Sequence, residues 1–387
     1  MAVGLGQLDS GLSRMHPEFP LDPDIIYLNH AAVAPWPKRT SAAITAFANE
    51  NLIQGASHYP RWSLEQKRLR ERAMAFLNAE SPREIGLVKN TSEAISFVAS
   101  GLQWQPGDNV VGTCEEFPSN RIPWEALSAK GVDYRAANIS GPDPEGSIIA
   151  TMDQNTRLLA VSSVQYASGL RLNLERLGSA CHQRGILFMV DAIQSLGAFP
   201  MDVRAVHADF VMADGHKWLL APEGLGIFYV AERVIDAIQP SQYGWHMVEN
   251  AGDYDTKAWS PALSARKFEC GSPNMLGIHG LSSSLSVLME EGMDNVSRLI
   301  LERTQRLLDL ISKEPRLELL SSKDPERLSG IVLFKHRSTP DAAVWSHLKT
   351  HQIICAMRGG GIRFSPHFYT PLEQLETAVR IAAEATA

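Results

Sequence analysis

Apolar residues recur along the chain in short unbroken runs, at Val110-Val111, Leu158 to Val161, Ile186 to Val190, Phe210 to Met212 and Ile227 to Val230. Runs of this length without polar alternation read as strands buried on both faces. Stretches with helical spacing stand between them, such as Arg61 to Leu77 and Ser92 to Leu102. The alternation predicts an α/β fold with a mostly parallel sheet flanked by helices. Beyond Phe268 the pattern changes to a long helical stretch from Met275 to Ile311, a strand at Ile331 to Phe334 and more helix toward the C-terminus. A smaller α+β domain closing over a cleft is expected there. The chain divides accordingly into an N-terminal arm over 1–24, a large domain over 25–260 and a small domain over 261–387.

Composition narrows the function classes. The chain has 387 residues and a net charge of −7, from 36 basic and 43 acidic residues, which is long enough for a large core and speaks against nucleic acid or an anionic membrane as partner. No apolar run is long enough to span a bilayer, and Met1 to Gln7 lacks the basic start and long apolar stretch of a signal peptide. Cys114, Cys181, Cys270 and Cys355 are scattered without metal-ligand spacing, so reduced thiols in a cytoplasm are the simplest expectation. His347 and His351 share a helix face but have no third ligand and no catalytic glutamate between them, which reads as a solvated face.

The chemistry gathers where strands end. Asp191 closes the run Ile186 to Val190, and Asp214-Gly215-His216-Lys217-Trp218 follows the run Phe210 to Met212, ahead of the Gly-rich Pro222 to Gly226. A lysine held in such a turn is the residue type that forms a Schiff base with pyridoxal phosphate, and the alternative is a surface lysine after a buried strand. Asp191 reads either as a helix cap or as the carboxylate that keeps a pyridine nitrogen protonated at the sheet's carboxyl edge. Thr91 or Ser92 is a natural N-cap after the run Ile85 to Val88. That helix start suits an anion such as a cofactor phosphate, or is an ordinary capping box.

As an ordered set, Tyr27 to Ala32, Asn90 to Ala94, Glu116 to Asn120, Val190 to Ser195, Gly215 to Trp218, Phe268 to Asn274 and Arg363 to Thr370 resemble the class V aminotransferases of the pyridoxal-phosphate enzymes. That group includes cysteine desulfurases, kynureninase and isopenicillin-epimerase-like enzymes. The resemblance implies a fold type I enzyme in which Lys217 binds the cofactor covalently and Asp191 meets the pyridine nitrogen. Gln194 would donate to the ring's phenolic oxygen, and Thr91, Ser92 and His216 would hold the phosphate. It further implies a homodimer in which Ser272 of one subunit reaches the phosphate of the other. Arg363 matches the arginine that clamps a substrate carboxylate, a role suited to its planar fork. Asn29 and His30 lie where the N-terminal segment of relatives meets the substrate, His30 serving there as an acid or base or else as a structural histidine. Tyr27, Trp36, Tyr59 and Trp62 either line the substrate entrance or pack in the core.

Departures from the family pattern bear on the reaction. Phe117 stands where cysteine desulfurases place a histidine against the cofactor ring, which keeps stacking but removes a proton-transfer group. Tyr166 stands in place of an asparagine, so its phenol is expected to supply the polar contact to the ring. Asp214 replaces a serine beside the phosphate and is expected to point away or to bond the Gly-rich turn. Met357-Arg358-Gly359-Gly360-Gly361-Ile362-Arg363 runs into the arginine motif with no cysteine-bearing loop, and Cys355 lies in an apolar run. A persulfide relay needs a thiolate that can travel, so it is not expected here. The first reading is therefore transamination of a small amino acid. The alternatives are a β-eliminating C–S lyase, desulfurase-like without a persulfide cysteine, or an amino-acid epimerase. A protein that only binds or senses a ligand is disfavoured by the set Lys217, Asp191 and Arg363.

Overall fold

The computed structural model describes residues 16–386. Most of the expected arm over 1–24 and the Met1 to Gln7 segment lie outside the described residues.

Seven strands form the main sheet, in the order Ile85–Val88, Gly226–Val230, Phe210–Asp214, Leu187–Asp191, Thr156–Ser162, Asn109–Thr113, Asp133–Ala137. All neighbours are parallel except Gly226–Val230, which runs antiparallel between its two partners. Each apolar run in the sequence becomes a strand. The edge strand Asp133–Ala137 was not anticipated, because its half-exposed Asp133, Tyr134, Arg135 and Ala136 carry no apolar run. Helices Tyr59–Leu77 and Thr91–Gly101 match the periodic stretches closely.

Phe188, Met189 and Val190 have no exposed surface. Each contributes about 1.5–3 kcal/mol by burial, enough together to offset the several kcal/mol that a buried carboxylate costs at the strand's end. Asp191 is that carboxylate, 2% exposed, with Oδ1 accepting from the Ile193 amide at 3.0 Å. The register places Ser162 opposite Asp191 and Asp191 opposite Met212. The parallel strands thus finish together at one edge, where α/β sheets bind ligands.

The small sheet is antiparallel, in the order Ala356–Arg358, Gly361–Phe364, Val332–His336, Leu317–Leu319. The helical stretch after Met275 is two helices, Met275–Glu291 and Met293–Lys313, parted at Gly292 with φ +77°. Ile278, Leu281, Leu285, Val296 and Ile300 pack in the core of the large sheet, whereas Leu307, Leu308 and Ile311 pack with the small one. The second helix therefore spans both cores.

Candidate active site

Lys217 sits three residues past the strand Phe210–Asp214, in a turn fixed from three directions. The Gly215 amide donates to the Leu225 carbonyl, the Ala221 amide to the Gly215 carbonyl, and the Ala34 amide to the His216 carbonyl. Trp218, fully buried, donates Nε1–H to Gln194 Oε1 at 2.9 Å. With its backbone pinned, the lysine stem reaches a cavity of about 320 Å³ and its Nζ stands 5.8 Å from the centre of the Phe117 ring. Burial lowers the basicity of the Lys217 amine, the Asp191 charge opposing this, and burial raises the Asp191 carboxyl above its ordinary range.

The cavity brings together Lys217, Asp191, Gln194, His216, Thr91 and Ser92. Phe117, Tyr166 and Arg363 line it as well. Gln194 Nε2 donates to the Ala31 carbonyl at 3.0 Å, which leaves one amide hydrogen available. Phe117 and Tyr166 meet edge to face, with centroids 5.1 Å apart at 75°. Arg363 is 1% exposed and donates from one terminal nitrogen to the Tyr166 carbonyl at 2.6 Å. Its Nε and its other terminal nitrogen are buried without a partner among the described residues. Burial and the nearby charge of Arg358 hold its pKa down to about 10, so it remains cationic at neutral pH. A buried cation with two unanswered donors is strongly disfavoured unless a ligand supplies the acceptors. A carboxylate fits that fork.

The cap of the helix Thr91–Gly101 is Asn90, in place of the expected Thr91 or Ser92, with Oδ1 accepting from the Glu93 amide at 2.9 Å. Asparagine caps as well as serine does, and its β-region backbone leaves Thr91 and Ser92 inside the first turn. Their amides have no intrahelical acceptors. Thr91 Oγ1 accepts from the Asp214 amide at 3.0 Å, and Ser92 Oγ bonds Ser119 Oγ at 2.8 Å.

The geometry departs from the expectations for Asp214 and Asn29 and decides between the alternatives for His30 and for the aromatic residues near the start of the chain. The Asp214 backbone pairs with Gly226 in the sheet, but its carboxylate makes no hydrogen bond to the Gly-rich turn. It lines the cavity at 5% exposure with Oδ1 3.2 Å from His216 Nδ1, a contact close enough for an ion pair but poorly aligned for a hydrogen bond. His30 is fully buried and does not line the cavity, because Nδ1 meets the Ser365 carbonyl at 2.8 Å and Nε2 the Tyr369 hydroxyl at 2.6 Å. Burial holds its pKa down to about 4, which makes it a neutral strut. Asn29 pairs with Ser365 as a bridge, and it is Ala31, Ala32 and Val33 that border the cavity. None of Tyr27, Trp36, Tyr59 and Trp62 lines it: Trp62 packs against Phe47 and Tyr59, and Tyr27 donates to the Val33 carbonyl. Ser272 is exposed beside a separate cavity of about 220 Å³ with Lys89, Glu93 and Cys270.

Sequence reasoning passed over Glu116 as an individual residue. Buried, it accepts from the Ser162 amide at 2.9 Å and hydroxyl at 2.5 Å, from Thr113 Oγ1 at 3.0 Å and from Asn120 Nδ2 at 2.9 Å. It thereby locks two strand ends and the turn that carries Phe117. Its only sequence signal was a carboxylate beside the aromatic residue.

A seven-stranded mixed sheet, a smaller antiparallel sheet and a lysine turn at the carboxyl edge define a pyridoxal-phosphate enzyme of fold type I. The chain belongs to the class V aminotransferase family, whose profile, "Aminotransferase class-V", matches residues 26–382. A "Probable cysteine desulfurase" of Methanothermobacter thermautotrophicus is 32% identical over 93% of this chain and 94% of its own length. Among solved structures, the apo cysteine desulfurase of Thermococcus onnurineus NA1 superposes with a TM-score of 0.84 at 24% identity, covering 93% of this chain and 94% of that one. A complex of the cystine C–S lyase C-DES with cysteine persulfide gives 0.87 at 22% identity, covering 93% and 98%. The cofactor that family membership implies is pyridoxal phosphate. The residues fit it: an amine with no hydrogen-bond partner among the described residues, a buried carboxylate facing the same cavity and a helix start with open amides. No described helix is long and apolar enough to cross a membrane.

Proposed function

We propose that the protein cleaves the Cβ–S bond of a small amino acid by β-elimination, without a cysteine nucleophile of its own. For cysteine the balance is cysteine plus water giving pyruvate, ammonia and hydrogen sulfide. The observation that carries this reading is the hairpin Ala356–Arg358 to Gly361–Phe364, which turns through Gly359-Gly360 with no cysteine on it, in a chain whose 32% identical relative is named a desulfurase. Cys355 is no substitute, since burial pushes its thiol up to about 12. Transamination, the first reading from sequence, has weaker support because the named relatives act on a C–S bond.

Pyridoxal phosphate, when bound, supplies the electron sink that acidifies the substrate's Cα–H. The chain's own residues do the rest. Arg363 would orient the substrate through its α-carboxylate, using the two donors that have no protein partner. Lys217, made less basic by burial, would take the Cα proton as a neutral amine and afterwards be an acid available to the departing sulfur. Asp191 would hold the pyridine nitrogen, and Thr91, Ser92 and His216 the phosphate. Phe117 and Tyr166 wall the cavity against water. We also propose a homodimer in which Ser272 completes the phosphate site of the neighbouring subunit. Its exposure outside the Lys217 cavity supports this, as do the exposed apolar side chains Leu52, Ile53, Tyr243 and Trp259.

Holoprotein incubated with L-cysteine or L-cystine should release pyruvate with no keto-acid acceptor. Alanine as the carbon product would mark a persulfide-forming desulfurase, and turnover only with an added keto acid would mark a transaminase. Either result overturns the lyase reading.

A further inference from the structure

The hairpin brings two arginines to one cavity. Across it Ala356 opposes Arg363 and Arg358 opposes Gly361. Opposed residues share a face and alternate residues return to it, so Arg358 and Arg363 are diagonal neighbours on the same face, with Cα atoms roughly 7–8 Å apart. Gly359 and Gly360, at φ +62° and +76°, form the two-residue turn that fixes this register. A slip of one residue would turn Arg358 away from Arg363.

Both arginines border the Lys217 cavity, but their surroundings differ. Arg363 is buried, and its two open donors match one carboxylate completely. Arg358 is exposed at the cavity's margin and has no ion-pair or hydrogen-bond partner among the described residues. Arg121 and Arg176, also exposed, are paired with Glu125 and Asp143, and Arg61 and Arg157, which like Arg358 have no side-chain partner among the described residues, do not border this cavity. A second guanidinium facing the same ligand as a complete carboxylate clamp is spare for a second anion.

We infer that the substrate is an amino acid whose side chain ends in a second anionic group, a carboxylate, sulfinate or sulfonate, and that Arg358 receives that group while Arg363 holds the α-carboxylate. This rests on the reading of the cavity as an amino-acid site. Under the lyase reading, the substrate carries its second anion beyond the sulfur.

The test separates binding from chemistry. Calorimetry on the holoprotein compares succinate with butyrate, which carry two anions and one, and which lack the amine needed to react. Wild type should bind succinate on the order of tenfold more tightly, a preference that added salt reduces. Arg358→Gln should bring it to about twofold and Arg358→Lys should restore part of it, with melting temperatures unchanged for these surface variants. In parallel, pyruvate release from S-carboxymethyl-L-cysteine should exceed that from S-ethyl-L-cysteine in kcat/KM by a similar ratio, lost in Arg358→Gln. A succinate preference that survives Arg358→Gln overturns the inference, and so does equal weakening of both ligands, which would assign Arg358 to the α-carboxylate. Weakened cofactor retention in Arg358→Gln would assign it to the phosphate and overturn it too. A succinate preference that depends on Arg358, with no pyruvate from either thioether, supports the inference and sinks the lyase reading alone.

Discussion

The floor of the cavity and its hairpin wall are built on opposite principles. The floor is the joint edge of parallel strands, where Asp191, the Lys217 turn and the helix start at Thr91 are each held by backbone bonds inside a close-packed core. The wall is a two-stranded hairpin in which Met357, Arg358 and the Gly359-Gly360 tip are exposed, whereas the second strand, Gly361–Phe364, is buried and carries Arg363. A rigid, water-poor floor suits the steps that every substrate shares. The wall supplies what differs between substrates, a carboxylate fork and a spare cation, and it omits the thiol that a persulfide relay requires.

The largest expected effect is on the floor. Lys217→Ala should lower turnover by on the order of 10³-fold with the fold intact, and a variant keeping more than a tenth of wild-type activity would remove Lys217 from the chemistry. On the wall, Arg363→Lys exchanges a planar fork for a point charge, so KM for amino acids should rise roughly 10- to 100-fold with a smaller change in kcat. An unchanged KM with a collapsed kcat would instead tie Arg363 to the reacting atoms and blur the division of labour.

Behind the floor, His30 should act on stability and leave substrate binding alone. Burial holds its pKa down to about 4 against an ordinary 6.5, so folding favours the neutral ring. That stabilisation is complete above pH 6.5 and is lost as pH falls toward 4, by up to about 3 kcal/mol. Melting temperature should fall over this window, and less steeply in His30→Gln; an equal slope in the two proteins would contradict the strut role. The smallest effect is expected at Ser272, where alanine should weaken cofactor retention about fivefold, as loss of one neutral hydrogen bond does. Unchanged retention, or a monomer by light scattering, would leave Ser272 outside the site.

The floor was largely legible in the sequence because its parts are local. A run ending in Asp191 and a lysine three residues past another strand state their own positions, and parallel strands bring them together. Glu116 and His30 were not legible in this way, since their partners Ser162 and Tyr369 lie 46 and 339 residues away. Asn90 lost the cap position to its neighbours in the reading because all three residue types can cap. The spare role of Arg358 was hidden for another reason: which way it faces depends on the register across Gly359-Gly360, and that register exists only once the hairpin has folded.

The central claim is elimination without a protein thiol. The most direct measurement is the carbon product from L-cysteine, compared between wild type and a variant with Cys114, Cys181, Cys270 and Cys355 all changed to serine or alanine. Pyruvate is expected from both, at rates within about twofold, since none of the four cysteines lines the Lys217 cavity. Alanine from wild type that disappears in the cysteine-free variant would contradict it.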